Sequence, residues 1–285
     1  MNIKYKILSL LTYTLLASSL NAMSFEASVG THDFIVSDIK DDTPNDGIDS
    51  GTSHTLGLNA AIYVKHTTKS GINLVAKAEA FLDNDKDHLD PDHIPVWFDF
   101  LVDIDGVIHR LNDNNLFKWY LLMDNKQNTV SCIEREVRQH LGVGYEYING
   151  GLTLDVNAYS GFYYIEIDDD TPVARGYTRQ QMDDGEASNM LQFTVAYQFD
   201  KHWLASFDAR TYNANAGMEN LENNFEFDLK YSGAYILTEG STLNLKIKHV
   251  KYDLDRFYVS STGLPILPFD NDTLVQAYVT LPIEF

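Results

Sequence analysis

The sequence contains a single cysteine, Cys132, so it can form no internal disulfide bond, and we interpret this thiol as incidental rather than reactive. Positive charge is also scarce. Only 21 lysine and arginine residues stand against 41 aspartate and glutamate residues, for a formal net charge of −20 at pH 7. Nucleic-acid binding requires a basic surface, and simple adsorption to anionic lipid is favoured by one. The composition therefore predicts no nucleic-acid partner and disfavours a protein held on anionic lipid by charge alone.

Long apolar runs are missing after the first 22 residues. Those residues read as a secretory signal: Lys4 and Lys6 come first, an apolar stretch follows at 7–16, and small residues lead to Ala22. The apolar stretch is shorter than the about 20 residues of a membrane-spanning helix. The alternative, a buried N-terminal helix, should show a polar stripe of period 3.6, which is missing here. We predict cleavage after Ala22, which leaves residues 23–285 as a single domain.

The sequence does contain repeated alternation of apolar and polar residues, which predicts strands with one apolar and one polar face. The segment TLVQAYVTLPIEF, residues 273–285, alternates most regularly. Several predicted strands exceed the usual length of about 5–6 residues and match the about 9–11 residues that a tilted strand needs to cross a bilayer. The twelve predicted strands are 24–35, 54–67, 72–82, 94–109, 116–124, 138–147, 152–167, 189–199, 203–212, 223–235, 242–252 and 273–285.

The connections between these strands alternate in length. Those after the even-numbered strands are short, and those after the odd-numbered strands are mostly longer and polar, as in a transmembrane up-and-down barrel. A soluble β-sandwich or a lipocalin-like barrel would show the same periodicity with the apolar face inward. Long strands, the export signal and aromatic residues near the short turns (Tyr147, Phe199, Trp203 and Phe285) favour the membrane arrangement. We therefore predict an all-β, antiparallel, up-and-down transmembrane β-barrel of about twelve strands.

The last segment resembles the C-terminal signature of Gram-negative outer-membrane β-barrel proteins, because it ends in Phe285 with Ile283, Leu281 and Val279 at alternating positions. The resemblance is porin-like and singles out no subfamily or oligomeric state. It implies a place in the outer membrane, short periplasmic turns, long extracellular loops and contact with lipid and lipopolysaccharide. It also implies that the barrel-assembly machinery reads these four residues. Pro282 departs from the pattern because it lacks an N–H, and we predict a local gap in strand pairing there.

If the apolar side chains face lipid, the polar ones between them line the interior. Charges of both signs alternate along these inward faces, and they must pair or stay solvated, because an unpaired buried charge is costly. The candidate lumen-lining residues are Lys77, Glu79, Asp99, Asp103, Lys118, Tyr120, His140, Glu146, Asp155, Tyr159, Asp208, Arg210, Glu226, Asp228, Lys230, Lys246 and Lys248.

Two functions fit such an interior. The first is a passive, porin-like diffusion channel for small polar solutes, in which Lys230, Lys246 and Lys248 form a basic track that faces carboxylates of the third, fourth and ninth strands. The second is a non-conducting barrel whose charges pair into a filled core and whose acidic extracellular loops bind a partner, a surface or lipopolysaccharide. A twelve-stranded barrel lies between filled eight-stranded barrels and open porins of 16–18 strands, so strand number alone does not decide.

A third function, that of an outer-membrane lipid hydrolase, needs a histidine near a serine or aspartate at matching depth. The sequence contains no His-x-Ser pair, and we predict neither enzymatic activity nor a cofactor. The loop at 83–93 places Asp83, Asp85 and Asp87 at alternating positions, as calcium loops do. It has His88 where such a loop needs glycine and Ile94 where it needs glutamate, so we favour a solvated acidic loop over a metal site.

Overall fold

A computed structural model describes residues 23–40, 50–84, 96–129, 132–167, 173, 175–178, 183–233, 238–254 and 261–284. Within these ranges the chain forms twelve β-strands and a single 3₁₀ turn at Asn215–Gly217. The strands are β1 (Met23–Ile39), β2 (Gly51–Thr67), β3 (Asn73–Asp83), β4 (Val96–Asn112), β5 (Asn115–Gln127), β6 (Ile133–Asn149), β7 (Leu152–Ile167), β8 (Asp183–Gln198), β9 (Trp203–Ala214), β10 (Glu219–Tyr231), β11 (Thr242–Tyr252) and β12 (Asn271–Ile283). No helix in this part of the chain is long and apolar enough to cross a membrane.

The strands close into one antiparallel barrel. Each strand pairs with its neighbours in sequence, and β1 also pairs with β12. This seam keeps an unbroken register from Phe25 opposite Ile283 to Val36 opposite Asp272. Pro282 lies inside β12, opposite Glu26, and the pairing of β12 with β11 reaches only to Thr280. The predicted all-β, up-and-down barrel of twelve strands is confirmed.

Several strands run further than the sequence pattern predicted. β6 begins at Ile133 instead of residue 138, β10 begins at Glu219 instead of residue 223, and β5 ends at Gln127 instead of residue 124. On the rim predicted to carry long loops, the β5–β6 and β9–β10 connections (128–132 and 215–218) are short, whereas the other four are longer. All three strand extensions lie toward this rim.

The outside of the barrel is apolar over its middle. Leu58 and Ile62 on β2 are each 57% exposed, and Leu141 on β6 is 64% exposed. The same alternation exposes apolar side chains around the wall, namely Val29, Leu56, Leu82, Phe100, Phe117, Met123, Val143, Val156, Phe162, Leu191, Phe193, Phe207, Phe225, Phe227, Leu243, Leu245 and Ile247. A soluble protein rarely exposes so large an apolar surface, whereas a closed barrel satisfies its backbone groups within lipid. The apolar face therefore points outward, which excludes the soluble alternative and fits a membrane-spanning barrel.

Aromatic side chains mark the rim of the short turns. The rings of Trp203 and Tyr231 lie 4.6 Å apart, and those of Tyr197 and Phe199 lie 4.9 Å apart. Phe199 is 62% exposed and Trp203 is 40% exposed. Aromatic residues concentrate at the level where hydrocarbon meets the headgroups. The short-turn rim therefore lies near one face of the bilayer.

Toward the opposite rim the alternation inverts. On β1, Phe34 and Val36 point inward and are 3% and 1% exposed. Asp33 points outward and contacts His54 of β2, with 3.1 Å between Oδ2 and Nδ1. Ser37, also outward, donates a hydrogen bond to Asn271 of β12. Apolar residues inside and polar residues outside are the arrangement of a water-soluble barrel, so the wall extends beyond the apolar band on this side.

Candidate functional site: the barrel interior

The interior has two parts. We call the part next to the short turns the turn-side interior; it holds Lys77, Lys118, Arg210 and Lys246 with their partners. The part next to the other rim, around Arg138, is the loop-side interior. Both are built by inward-facing residues of neighbouring strands, which strand register places side by side.

On one wall of the turn-side interior, Lys77 of β3 binds two carboxylates. Its Nζ lies 3.0 Å from Glu79 Oε2 and 2.9 Å from Asp99 Oδ2. Gln276 of β12 donates to Glu79 at 2.7 Å, and Asn59 of β2 donates at 2.9 Å. The side chains of the ion-paired residues are 5–13% exposed. This group spans the closing seam from β12 to β4.

Lys246 of β11 forms a second, more accessible group. Its Nζ lies 2.8 Å from Glu226 Oε1 and 3.8 Å from Asp228 Oδ1, both on β10. These three side chains are 19–32% exposed. Solvent therefore reaches this group although it lies inside the barrel.

Lys118 of β5 forms a third group. Its Nζ lies 2.6 Å from Asp105 Oδ1 on β4 and 3.2 Å from Glu146 Oε2 on β6. The same ammonium lies 5.3 Å from the centre of the Tyr120 ring. Tyr120 donates its hydroxyl to Asp155 of β7 at 3.3 Å. One lysine therefore serves a group that contains three carboxylates.

The fourth group surrounds Asp208 of β9. Arg210 Nε lies 2.6 Å from Asp208 Oδ1. Gln192 and Thr194 of β8 donate hydrogen bonds to Asp208 Oδ2 at 2.5 and 2.7 Å. Tyr159 of β7 donates to Gln192 at 2.7 Å. The side chains of Arg210 and Asp208 are 19% and 15% exposed, so solvent also reaches this group.

The loop-side interior holds a charge network that solvent does not reach. Arg138 Nη2 lies 2.6 Å from both carboxylate oxygens of Glu222 and 2.5 Å from Glu136 Oε1, and Nη1 lies 3.4 Å from Asp124. Tyr163 donates to Glu136 at 2.7 Å and to Glu222 at 3.1 Å. Arg138, Glu136 and Glu222 are each 0% exposed. The network joins β5, β6, β7 and β10 across the interior.

Apolar side chains enclose this network. Phe81 and Trp97 stack inside the wall with their ring centres 3.6 Å apart and their planes at 4°. From the β11–β12 connection, Ile266, Leu267 and Phe269 join the same cluster and are 1–3% exposed. Arg175 and Tyr177, from the β7–β8 connection, donate to the carbonyl oxygens of Pro265 and Leu264 at 2.7 and 2.6 Å. The two connections therefore pack together over the loop-side interior.

The predicted lumen-lining residues lie on inward-facing positions of the strands. Register places Lys246 opposite Asp228, Lys248 opposite Glu226 and Lys230 opposite Asn244. The three lysines of the predicted basic track are thus interleaved with Glu226 and Asp228 of the adjacent β10. Asp103 is half-buried on β4.

The sequence prediction missed the network around Arg138. Arg138 and Glu136 share the inward face of β6 with the predicted His140, so extending the same alternation would have found them. Glu222 fell outside a strand that was predicted too short, and so did Lys126 of β5, whose Nζ lies 3.5 Å from Glu136 Oε2. The outward residues at this level include the polar Arg135 and Gln139, so the contrast between the two faces that marks a strand is weak there.

The structure brings His140 together with Ser188 of β8, with 2.6 Å between Nε2 and Oγ. A serine next to a histidine is the core of a hydrolase site. Both residues point inward, however, and are 1% and 2% exposed, and in the part of the chain that the structure describes His140 Nδ1 has no hydrogen-bond partner. Lipid at the outer surface has no access to this pair, so the geometry gives no support to a lipid hydrolase.

Of the three aspartates that were weighed as a metal site, only Asp83 lies among the described residues. Asp83 ends β3, where its carboxylate lies 2.8 Å from His32 Nε2 and accepts a bond from Trp97 at 3.3 Å. Asp85 and Asp87 lie outside the described residues. Across the ranges that are described, no group of three or more histidine, cysteine or acidic residues is placed to hold a metal ion.

The predicted assembly signal is described only in part. Val279, Leu281 and Ile283 lie on the outward face of β12 and are half-buried. Phe285 and the predicted signal segment, residues 1–22, lie outside the described residues. Recognition by the assembly machinery stays a prediction.

No protein-family model matches the chain, and no curated protein matches it. Among solved structures, a NanC porin is 10% identical with a TM-score of 0.49, covering 90% of this chain and 100% of that one. A KdgM porin in complex with disordered oligogalacturonate is 8% identical with a TM-score of 0.46, covering 90% and 99%. An anion-selective porin from Comamonas acidovorans is 8% identical with a TM-score of 0.39, covering 92% and 99%. At such identities and TM-scores these likenesses carry no functional argument.

Proposed function

We propose that this protein is an outer-membrane channel for small polar solutes, whose path is closed at the loop-side interior in this conformation. The observation that carries the proposal is the accessibility of the turn-side ion pairs. Lys246, Glu226 and Asp228 are 19–32% exposed inside a barrel whose outer wall is apolar. A filled core would exclude water from such charges, because solvating them competes with packing. The turn-side interior therefore supports a compartment that polar solutes enter.

The loop-side interior supplies the closing element of the proposed channel. The β7–β8 and β11–β12 connections cover it through two side-chain bonds to carbonyl oxygens, Arg175 to Pro265 and Tyr177 to Leu264. Passage requires these connections to separate, which exposes the cluster around Ile266 and Leu267. Lid motions of this kind occur on microsecond to millisecond timescales.

Purified protein in planar bilayers tests the proposal. We expect discrete conductance steps whose size grows with salt concentration, because the path is water-filled. Absence of any step over a range of salts and voltages would contradict a channel. A liposome-swelling series with sugars, nucleosides and oligosaccharides then measures which polar solutes pass.

The second candidate is a non-conducting barrel that binds a partner, a surface or lipopolysaccharide through its acidic loops. The solvent-inaccessible network around Arg138 favours it, because a permanently filled section blocks passage. Bilayer recordings separate the two candidates, since this one predicts no conductance under any condition. Binding of purified lipopolysaccharide by the non-conducting protein would then support it.

The cellular location of the protein is part of the same proposal. We expect the protein in the outer-membrane fraction of a Gram-negative host, in contact with lipid and lipopolysaccharide and inserted by the barrel-assembly machinery. Deletion of Phe285 should reduce the yield of inserted barrel, and normal yield would count heavily against recognition of this residue.

A further inference from the structure

We propose that the wall formed by β4 to β7 carries a subsite for small ammonium-bearing cations, composed of Asp105, Glu146, Asp155 and Asn157 around the Tyr120 ring. The inference rests on the proposed channel function and names the class of solute that the turn-side interior favours. Three observations on this wall and one on the whole turn-side interior support it.

The first observation is an excess of carboxylates. Lys118 binds both Asp105 at 2.6 Å and Glu146 at 3.2 Å, so its single charge is divided between two acids. Asp155 lies directly opposite Glu146 in the β6–β7 register. Among the described residues, no lysine or arginine forms an ion pair with Asp155. The hydroxyl of Tyr120 donates a hydrogen bond to it instead. The group therefore keeps negative charge that a further cation would neutralise.

The second observation is an acceptor without a donor. Asn157 follows Asp155 on the inward face of β7 and is 4% exposed. Its Nδ2 donates to Gln192 at 3.2 Å, whereas its Oδ1 has no hydrogen-bond partner among the described residues. This oxygen lies over Gly144 of β6, where an added Cβ would meet it at 1.8 Å. A buried acceptor without a partner is costly, and an ammonium group would satisfy it.

The third observation is the aromatic wall of the subsite. The rings of Tyr120 and Tyr159 lie 5.8 Å apart and are tilted by 52°. Lys118 Nζ already lies 5.3 Å from the Tyr120 ring centre. Its ammonium thus shows the binding mode that a solute would use: carboxylate oxygens on one side and an aromatic ring on the other.

The fourth observation is the balance of charge in the whole turn-side interior. Among its described inward-facing residues, carboxylates outnumber cations. The carboxylates are Glu26, Glu79, Asp99, Asp103, Asp105, Glu146, Asp155, Asp208, Glu226 and Asp228, and the cations are Lys65, Lys77, Lys118, Arg210, Lys230, Lys246 and Lys248. An interior of one net sign raises the local concentration of the opposite ion. Cations are therefore drawn toward the subsite and anions are repelled.

Reversal potentials at pH 8 in planar bilayers test the subsite, with ethylammonium chloride on one side and a tenfold dilution on the other. We expect permeability to ethylammonium to exceed that to chloride. The double variant Asp155→Asn, Glu146→Gln should lower this ratio by about fivefold or more, because each unit charge about 4 Å from a cation is worth about that factor in water. The matched control is Asp200→Asn, which removes the same kind of charge from an exposed turn outside the lumen and should leave the ratio unchanged. An anion preference, or equal ratios in the double variant and the control, would overturn the subsite.

A second measurement separates this inference from the channel itself. Saturation-transfer NMR on detergent-solubilised protein should detect binding of ethylammonium that the double variant loses and Asp200→Asn keeps. Binding without conductance would sustain the subsite and reject the channel. Conductance without binding in the wild-type protein would leave the channel standing and reject the subsite.

Discussion

The two parts of the interior are made from the same residue types but solve the problem of buried charge differently. In the turn-side interior, Lys246 and its partners keep 19–32% of their side-chain surface exposed. In the loop-side interior, Arg138, Glu136 and Glu222 are fully enclosed. The outer surface of the wall shows the reverse pattern: it is apolar around the turn-side interior, where the charges are solvated, and polar around the loop-side interior, where they are enclosed. Water therefore replaces protein contacts where the wall faces lipid, whereas direct ion pairs and apolar packing fill the barrel where the wall faces water.

The largest expected effect is the loss of the central cation of the loop-side interior. Arg138→Met leaves Glu136 and Glu222 buried without the guanidinium that they share. Removal of one member of a buried ion pair costs about 3–5 kcal/mol. Urea unfolding in lipid vesicles, followed by tryptophan fluorescence, measures the loss. Lys246→Met is the matched control and should cost less, because solvent reaches Glu226 and Asp228. Equal losses in the two variants would abolish the distinction between the two parts.

The apolar cover of the loop-side interior gives the next effect. Leu267→Ala removes a side chain that is 3% exposed, and such truncations cost about 2–5 kcal/mol. If the cover closes the path, the same change should also raise the frequency of open events in planar bilayers. Leu243→Ala, on the exposed outer wall, is the control and should leave gating unchanged. A destabilised Leu267→Ala protein with wild-type gating would place the closure elsewhere.

Charge reversal in the turn-side interior should change the ion selectivity. Lys246→Glu together with Lys248→Glu removes two cations next to Glu226 and Asp228, so cation preference should rise by about fivefold or more. The reversal potential in a salt gradient measures the change. An unchanged reversal potential would mean that these residues do not line a conducting path.

The smallest effect concerns Asp200, in the short turn between β8 and β9. The backbone N–H groups of His202 and Trp203 donate to its carboxylate and hold its pKa below the ordinary value. Because the pKa is lowered in the folded state, the resulting stability is present above the unfolded pKa of about 3.9 and is lost as pH falls through the lower folded value. Asp200→Ala should therefore unfold slightly more easily at pH 7, and this difference should disappear in strong acid. A difference that persists in strong acid would assign the effect to something other than the carboxylate charge.

The sequence predicted the part of the barrel that faces lipid better than the part that faces water. Leu141 and Val143 alternate with inward residues, so β6 was recognised where its outer face is apolar. Around Gln139 and Arg138 both faces carry polar residues, and the strand pattern disappears although the strand continues. The alternation also indicated which charged residues point inward, but it did not indicate which of them form ion pairs. Arg138 and Glu222 are 84 residues apart, and only closure of the barrel brings them within 2.6 Å.

The seam between β1 and β12 has a consequence for the order of assembly. Eleven of the twelve strand pairings join neighbours in sequence, so each can form as a local hairpin, whereas Phe25 and Ile283 must meet across almost the whole described chain. Contacts at such separation form slowly, because the entropy of a long loop is lost before the contact is gained. Until the seam closes, two strand edges keep unpaired backbone groups, which lipid does not tolerate. Insertion should therefore wait for the seam, and the rate at which the seam forms should set the rate at which the barrel matures.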